Sequence, residues 1–104
     1  MSKAFPPEPS EAEIERYYRT APVGAAAVVK QTQGGILLFH LAEIELRKPE
    51  LGRVYIRGHG AFYMKHGKNC FHPKGQTTLV PPDEATLAWA RAHPMGELMW
   101  GAER

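Results

Sequence analysis

Five residues, Arg53-Val54-Tyr55-Ile56-Arg57, alternate strictly between aliphatic side chains and basic or aromatic ones, and a second run, Ala61 to Lys65, follows after Gly58-His59-Gly60. A period of two places successive side chains on opposite faces of a strand. Two such runs joined by a short glycine-bounded loop form a hairpin. Closing the chain there aligns Val54, Ile56, Phe62 and Met64 on a buried face, and Arg53, Tyr55, Arg57, Tyr63 and Lys65 on an exposed one. A chain with this centre is expected to build an antiparallel sheet with one wet side.

The flanking segments are read in the same terms. Residues 1–9 carry three prolines and no hydrophobic period, so they are expected to be a mobile arm before a single domain over 10–104. Ser10 and Glu13 form a Ser-x-x-Glu capping box, and Ile14, Tyr17, Tyr18 and Ala21 recur at helical spacing, predicting a short helix from Glu11 to about Arg19. Gln33-Gly34-Gly35 separates two β-favouring runs, with the second strand expected from about Gly35 to Leu41 and the stretch to Arg47 readable as strand or helix. A last strand is expected over Gln76 to Val80. Asp83 then caps a second helix to about Ala92, with Ala85, Ala88, Trp89 and Ala92 as its apolar stripe.

Short strands at turn-rich spacing with a helix towards each end predict an α+β domain: a small antiparallel β-barrel, or a strongly bent sheet of about four to six short strands. The Pro49-Glu50-Leu51-Gly52 turn running into an alternating strand is similar to one used in SH3-like and OB-like barrels. That resemblance covers a turn and a strand, and it implies a type of fold without naming a family.

With 104 residues there is room for one core, and the formal charge of +2 names no partner. The distribution of charge is more informative. Residues 1–50 carry six basic and seven acidic side chains, and residues 83–104 two basic and four acidic. Between them, residues 51–82 hold Arg53, Arg57, Lys65, Lys68 and Lys74 and no acid. Cations interleaved with flat rings suit an anionic polymer that bears bases, because phosphates meet the cations while bases stack on the rings. Arg53, Tyr55, Arg57, His59, Tyr63, Lys65, Lys68 and Lys74 are therefore the candidate nucleic-acid-binding residues. No base-reading helix is evident, so DNA or RNA would be bound with little sequence preference. The competing account makes Tyr55 and Tyr63 a cross-strand pair that stabilises the hairpin, with the lysines and arginines keeping the sheet soluble.

Other chemistry finds less support. His59, His66, Cys70 and His72 are metal-ligand types, but Cys70-x-His72 is too close for a paired-ligand turn and there is no second cysteine. His59 and His66 could serve a small metal-independent ribonuclease only if both converged on one phosphate, and no carboxylate in the window would orient them. The glycine pairs match no phosphate-binding loop, and no cofactor is expected. A protein-interaction module, presenting a sheet edge or exposed rings to an acidic partner surface, is the alternative of a different class. Met1 to Ser10 lacks an apolar signal core, no run approaches membrane-spanning length, and one unpaired cysteine suits a reducing compartment, so a cytoplasmic protein is expected, and the Ala, Arg, Gly and Pro content is compatible with a bacterial or phage source.

Overall fold

The computed structural model describes residues 5–99, and its first helix starts where the capping box places it. Helix α1 spans Glu11–Thr20. The Glu13 amide donates to Ser10 Oγ at 3.1 Å and the Ser10 amide to Glu13 Oε1 at 2.9 Å, so two otherwise unpaired helix-end donors are satisfied reciprocally. Ile14, Tyr18 and Ala21 are buried on one stripe, with Tyr17 packed beside them.

The chain then enters a curled antiparallel sheet. Strand β1 is Ala26–Gln33 and β2 is Ile36–Lys48. A short 3-10 turn, Pro49–Leu51, ends on Gly52 in the left-handed conformation, φ 65°. Strand β3 is Arg53–Ile56, β4 Gly60–Tyr63 and β5 Thr77–Val80. After helix α2, Glu84–Ala92, the two-residue β6, Glu97–Leu98, returns to the beginning of β2. The order across the sheet is β4-β3-β2-β1-β5. The result is an α+β half-barrel. Single bridges from Asn69 to Phe62 and from Lys68 to Thr78 carry the intervening segment across the gap between β4 and β5.

Strand β2 does not stop near Leu41; it runs unbroken to Lys48. Its N-terminal part pairs with β1 and its C-terminal part with β3, with an irregularity between Ile44 and Leu46. Ile44 stands opposite Ile56, but Leu46 stands opposite Tyr55 and Lys48 opposite Arg53. One extra residue, Glu45, has therefore shifted the register, and side chains beyond it swap faces. Arg47 consequently turns inward, where its guanidinium donates to Arg19 O at the C-terminal end of α1, a place that favours a cation. This bulge breaks the apolar period and is why residues 41–47 read ambiguously.

The inner face of the half-barrel is filled by Ala27, Val29, Ile44, Val54, Ile56, Phe62, Met64 and Leu79, closed at one end by Ile14 and Tyr18 of α1. Tyr18 is fully buried; its hydroxyl donates to Val80 O at 2.6 Å and accepts from the Val28 amide at 3.2 Å. Its ring is core, and burial drives its pKa well upward. The four apolar positions expected to share the buried face of the central hairpin all do so.

Helix α2 lies against the opposite, outer face of β1 and β2. The stripe it buries is Thr86, Trp89 and Ala90, whereas Ala85, Ala88 and Ala92 are exposed. The expected alanine stripe is corrected because Trp89 alone carries enough apolar surface to set the rotation of the helix, and it brings Thr86 and Ala90 with it. Trp89 meets Phe39 edge-on at 5.5 Å and stacks on His93 at 4.1 Å. Residues Phe5 to Pro9 cross this same face, with Phe5 against Trp89 at 5.6 Å. Trp100 lies outside the described residues. Among the described residues no helix is long and apolar enough to cross a membrane.

Candidate nucleic-acid interface

The outer face of the β2–β3–β4 unit is ordered by its registers. Lys48 pairs with Arg53, Arg53 with Tyr63, and the Tyr63 amide donates to Lys68 O at 2.9 Å. Residues opposite one another in antiparallel strands point to the same side. Lys48, Arg53, Tyr63 and Lys68 therefore form a cross-strand row over four successive segments, and none of the four is acidic. Beside it runs a second row of Leu46, Tyr55, Ala61 and Cys70, set by the same ladders and by the Cys70 amide donating to Ala61 O at 3.0 Å.

Within this patch the groups hold one another. The Arg53 guanidinium lies over the Tyr63 ring, 6.0 Å from its centroid, close enough for the positive charge to feel the ring's negative face. A hydrogen bond with Tyr55, followed by the electrostatic influence of Cys70 and the tyrosines, raises the Arg53 pKa further. Burial pushes the Cys70 thiol up, against the pull of Arg53, which keeps it a protonated, weakly reactive thiol. His66 meets the Tyr63 ring at 5.4 Å, nearly perpendicular, and its Nδ1 accepts from the Lys68 amide at 3.2 Å. The turn after β4 thus orients both the ring and the lysine that follows it.

The eight candidate residues do not all meet. Arg53, Tyr55, Tyr63 and Lys68 share the patch. Lys65 is exposed in the adjoining turn, and Lys74 stands on the exposed loop between Cys70 and Thr77. Arg57 is on the outer side, but its Nε donates to Glu43 Oε1 at 2.8 Å in an exposed ion pair, so part of its charge is already answered. His59 leaves the patch altogether. It packs on His40 with ring centroids 5.0 Å apart, and His40 Nε2 lies 2.6 Å from Gln31 Oε1. His40 shares its face of β2 with Ala42 and, across β1, with Val29, which is the inner side. Burial, then the neighbouring His40, lowers the His59 pKa.

Lys48 is the member that the acid-free window missed, because it precedes that window in the chain. Following β2 through the bulge is what brings it beside Arg53. As for the other chemistries, His59 lies before β4 and His66 after it, each against a different ring, so the two imidazoles are not brought together. Among the described residues no three His, Cys, Asp or Glu side chains are grouped to hold a metal ion. Comparison of the chain with protein-family models, with curated proteins and with solved structures finds no match.

Proposed function

We propose that this protein binds nucleic acid, with little sequence preference, through the outer face of its half-barrel. The observation that supports this most is the Lys48–Arg53–Tyr63–Lys68 row, in which three cations bracket one ring on adjacent strands. Strand spacing of about 4.8 Å puts neighbouring groups in the row within one nucleotide's reach of each other. Phosphates would meet Lys48 and Lys68, a base would stack on Tyr63, and Arg53 would stay beneath the ring as its electrostatic support. Tyr55, Lys65 and Lys74 would extend the contact, while Arg57 and His59, engaged by Glu43 and His40, would contribute little. No step of catalysis is assigned. A barrel of SH3-like or OB-like type acting in the cytoplasm fits this role, since a lone thiol stays reduced there.

Binding of fluorescent single- and double-stranded oligonucleotides across a salt series tests the proposal. Affinity should fall steeply with salt, and Lys48→Ala and Lys68→Ala should each reduce the log–log slope by about one. Tyr63→Ala should weaken single-strand binding at least about fivefold. Absence of binding at low salt, or affinity untouched by the double lysine variant, would end it.

A second reading has its own observation. Between its pairings with β6 at Leu37 and with β3 at Ile44, the outer-lying edge of β2 over residues 38–42 has no partner strand among the described residues. An extended segment of another protein could add there by main-chain hydrogen bonding. Peptide capture without nucleic-acid binding would favour this reading.

A further inference from the structure

Residues Phe5 to Pro9 form a strap over the outer face of β1 and β2. At one end Phe5 lies against Trp89, which is itself braced by Phe39. At the other end Glu8 approaches Lys30 of β1. Between strap and sheet a cavity of about 290 Å³ remains, lined by Leu37, Phe39, Val80, Thr86 and Met99 below and by the strap prolines above. The space is partly open to solvent, and the strap cannot easily close it. Pro6, Pro7 and Pro9 each fix a backbone angle and supply no N–H, so the strap bridges the cavity rather than folding down into it.

Lys30 gives the cavity its polarity. Its side chain is 26% exposed, whereas that of its partner Glu8 is 80% exposed, and their closest approach is 3.6 Å. That exceeds the about 2.7–2.9 Å of a charge-assisted hydrogen bond. A lysine whose side chain is largely covered is thus held beside an apolar space with a loose, solvent-facing counterion. Such a cation is better satisfied by a carboxylate that reaches it from within. At about 30 Å³ for each water-sized atom, the volume admits about ten heavy atoms.

We propose that this cavity binds a small amphiphilic carboxylate of the size of octanoate, its chain lying on Leu37, Phe39 and Val80 and its carboxylate replacing Glu8 on Lys30. The site is separate from the Lys48–Arg53–Tyr63–Lys68 row and stands or falls independently of nucleic-acid binding. Glu8 acts as the resident competitor, and the strap as the cover that the ligand slides beneath.

Calorimetric titration of the full chain with octanoate, octanol, acetate and inorganic phosphate separates the contributions of tail and charge. Octanoate should bind once per chain, at least about tenfold tighter than octanol, with acetate and phosphate failing to compete. Lys30→Met should lose octanoate affinity by at least about tenfold while leaving octanol unchanged, with circular dichroism reporting its fold. Glu8→Gln, an exposed change on the strap that leaves the sheet intact, should tighten octanoate severalfold. Failure of the natural chain to bind octanoate, equal binding of acetate or phosphate, or unchanged affinity in Lys30→Met would overturn the proposal. If Lys30→Met does not fold, Glu8→Gln decides: no gain in affinity there overturns it too.

Discussion

Gly67 sits so close to Leu79 that a Cβ added to it would lie 2.5 Å from the Leu79 carbonyl oxygen, and the Leu79 amide in turn donates to Gly67 O at 2.8 Å. This approach joins the turn after β4 to strand β5 and so ties the last side of the half-barrel. Gly67 also has φ +77°, a conformation that a side chain disfavours. Gly67→Ala should therefore cost about 2–4 kcal/mol in urea unfolding. Gly34→Ala, with φ +59° but open space around it, should cost about 1 kcal/mol. Equal costs at the two positions would show that backbone angle alone matters and that the closure carries no special contact.

Tyr18→Phe should be costly for a different reason. The phenol hydroxyl serves the Val80 carbonyl and the Val28 amide at a fully buried position, and a phenylalanine ring leaves both without that partner. A loss of about 1–3 kcal/mol is expected from denaturant curves. Tyr17→Phe removes one bond to Ala26 O from a half-exposed ring and should cost less, about 0.5–1.5 kcal/mol.

The capping box predicts an acid-sensitive element. Backbone and side-chain hydrogen bonds from Ser10 lower the Glu13 pKa below the ordinary 4.5. A carboxylate with a depressed folded pKa adds stability above its unfolded value, and that contribution is lost as pH falls through the folded one. Ser10→Ala should remove about 0.5–2 kcal/mol at neutral pH. Glu13→Gln, which removes the titrating carboxylate, should flatten the decline of stability on acidification below pH 4.5. A parallel decline in Glu13→Gln and the natural chain would exclude the Glu13 linkage.

His59 should titrate below its ordinary 6.5, chiefly because it is partly buried and secondarily because it faces His40. Since the folded state favours the neutral ring, stability attached to this group is complete above 6.5 and is lost as pH falls through the folded pKa. Proton NMR of the ring should show this directly. His40→Gln should move the His59 midpoint part of the way back towards 6.5, leaving the effect of burial in place. A midpoint unaffected by that change would show that the neighbouring imidazole has no influence.

Nucleic-acid binding should draw little on Arg57. Arg57→Ala should change affinity little, because its guanidinium already answers Glu43 in an exposed pair. Glu43→Gln should then raise affinity by freeing Arg57. The same electrophoretic or anisotropy titration reads both variants.

What the sequence displayed well was local. The Ser10 cap, the Gly34-Gly35 hairpin, the Pro49–Gly52 turn and the two alternations around Gly58–Gly60 each depend on a few adjacent residues, and each appears in the structure. What it concealed depended on distant partners. The choice of Thr86 and Ala90 over Ala85 and Ala92 rests on where Trp89 finds Phe39, and alanines offer too little surface to reveal it. His59 looked like a member of the basic platform because it lies among those residues in the chain. Its actual neighbour, His40, comes from a strand whose inner face could not be assigned while residues 41–47 were ambiguous. Arg57 likewise revealed its counterion only once Glu43 was set opposite it.

The irregularity at Glu45 behaves as a parity switch. With it, Arg47 anchors a helix end and Lys48 joins the outward cations; a ladder that instead took Glu45 in step opposite Tyr55 would present Arg47 to solvent and drive Lys48 against the apolar filling. One extra step of backbone thus decides which charges the molecule displays, and lineages or designs that delete Glu45 would straighten the strand yet leave Arg47 and Lys48 on the sides they now occupy.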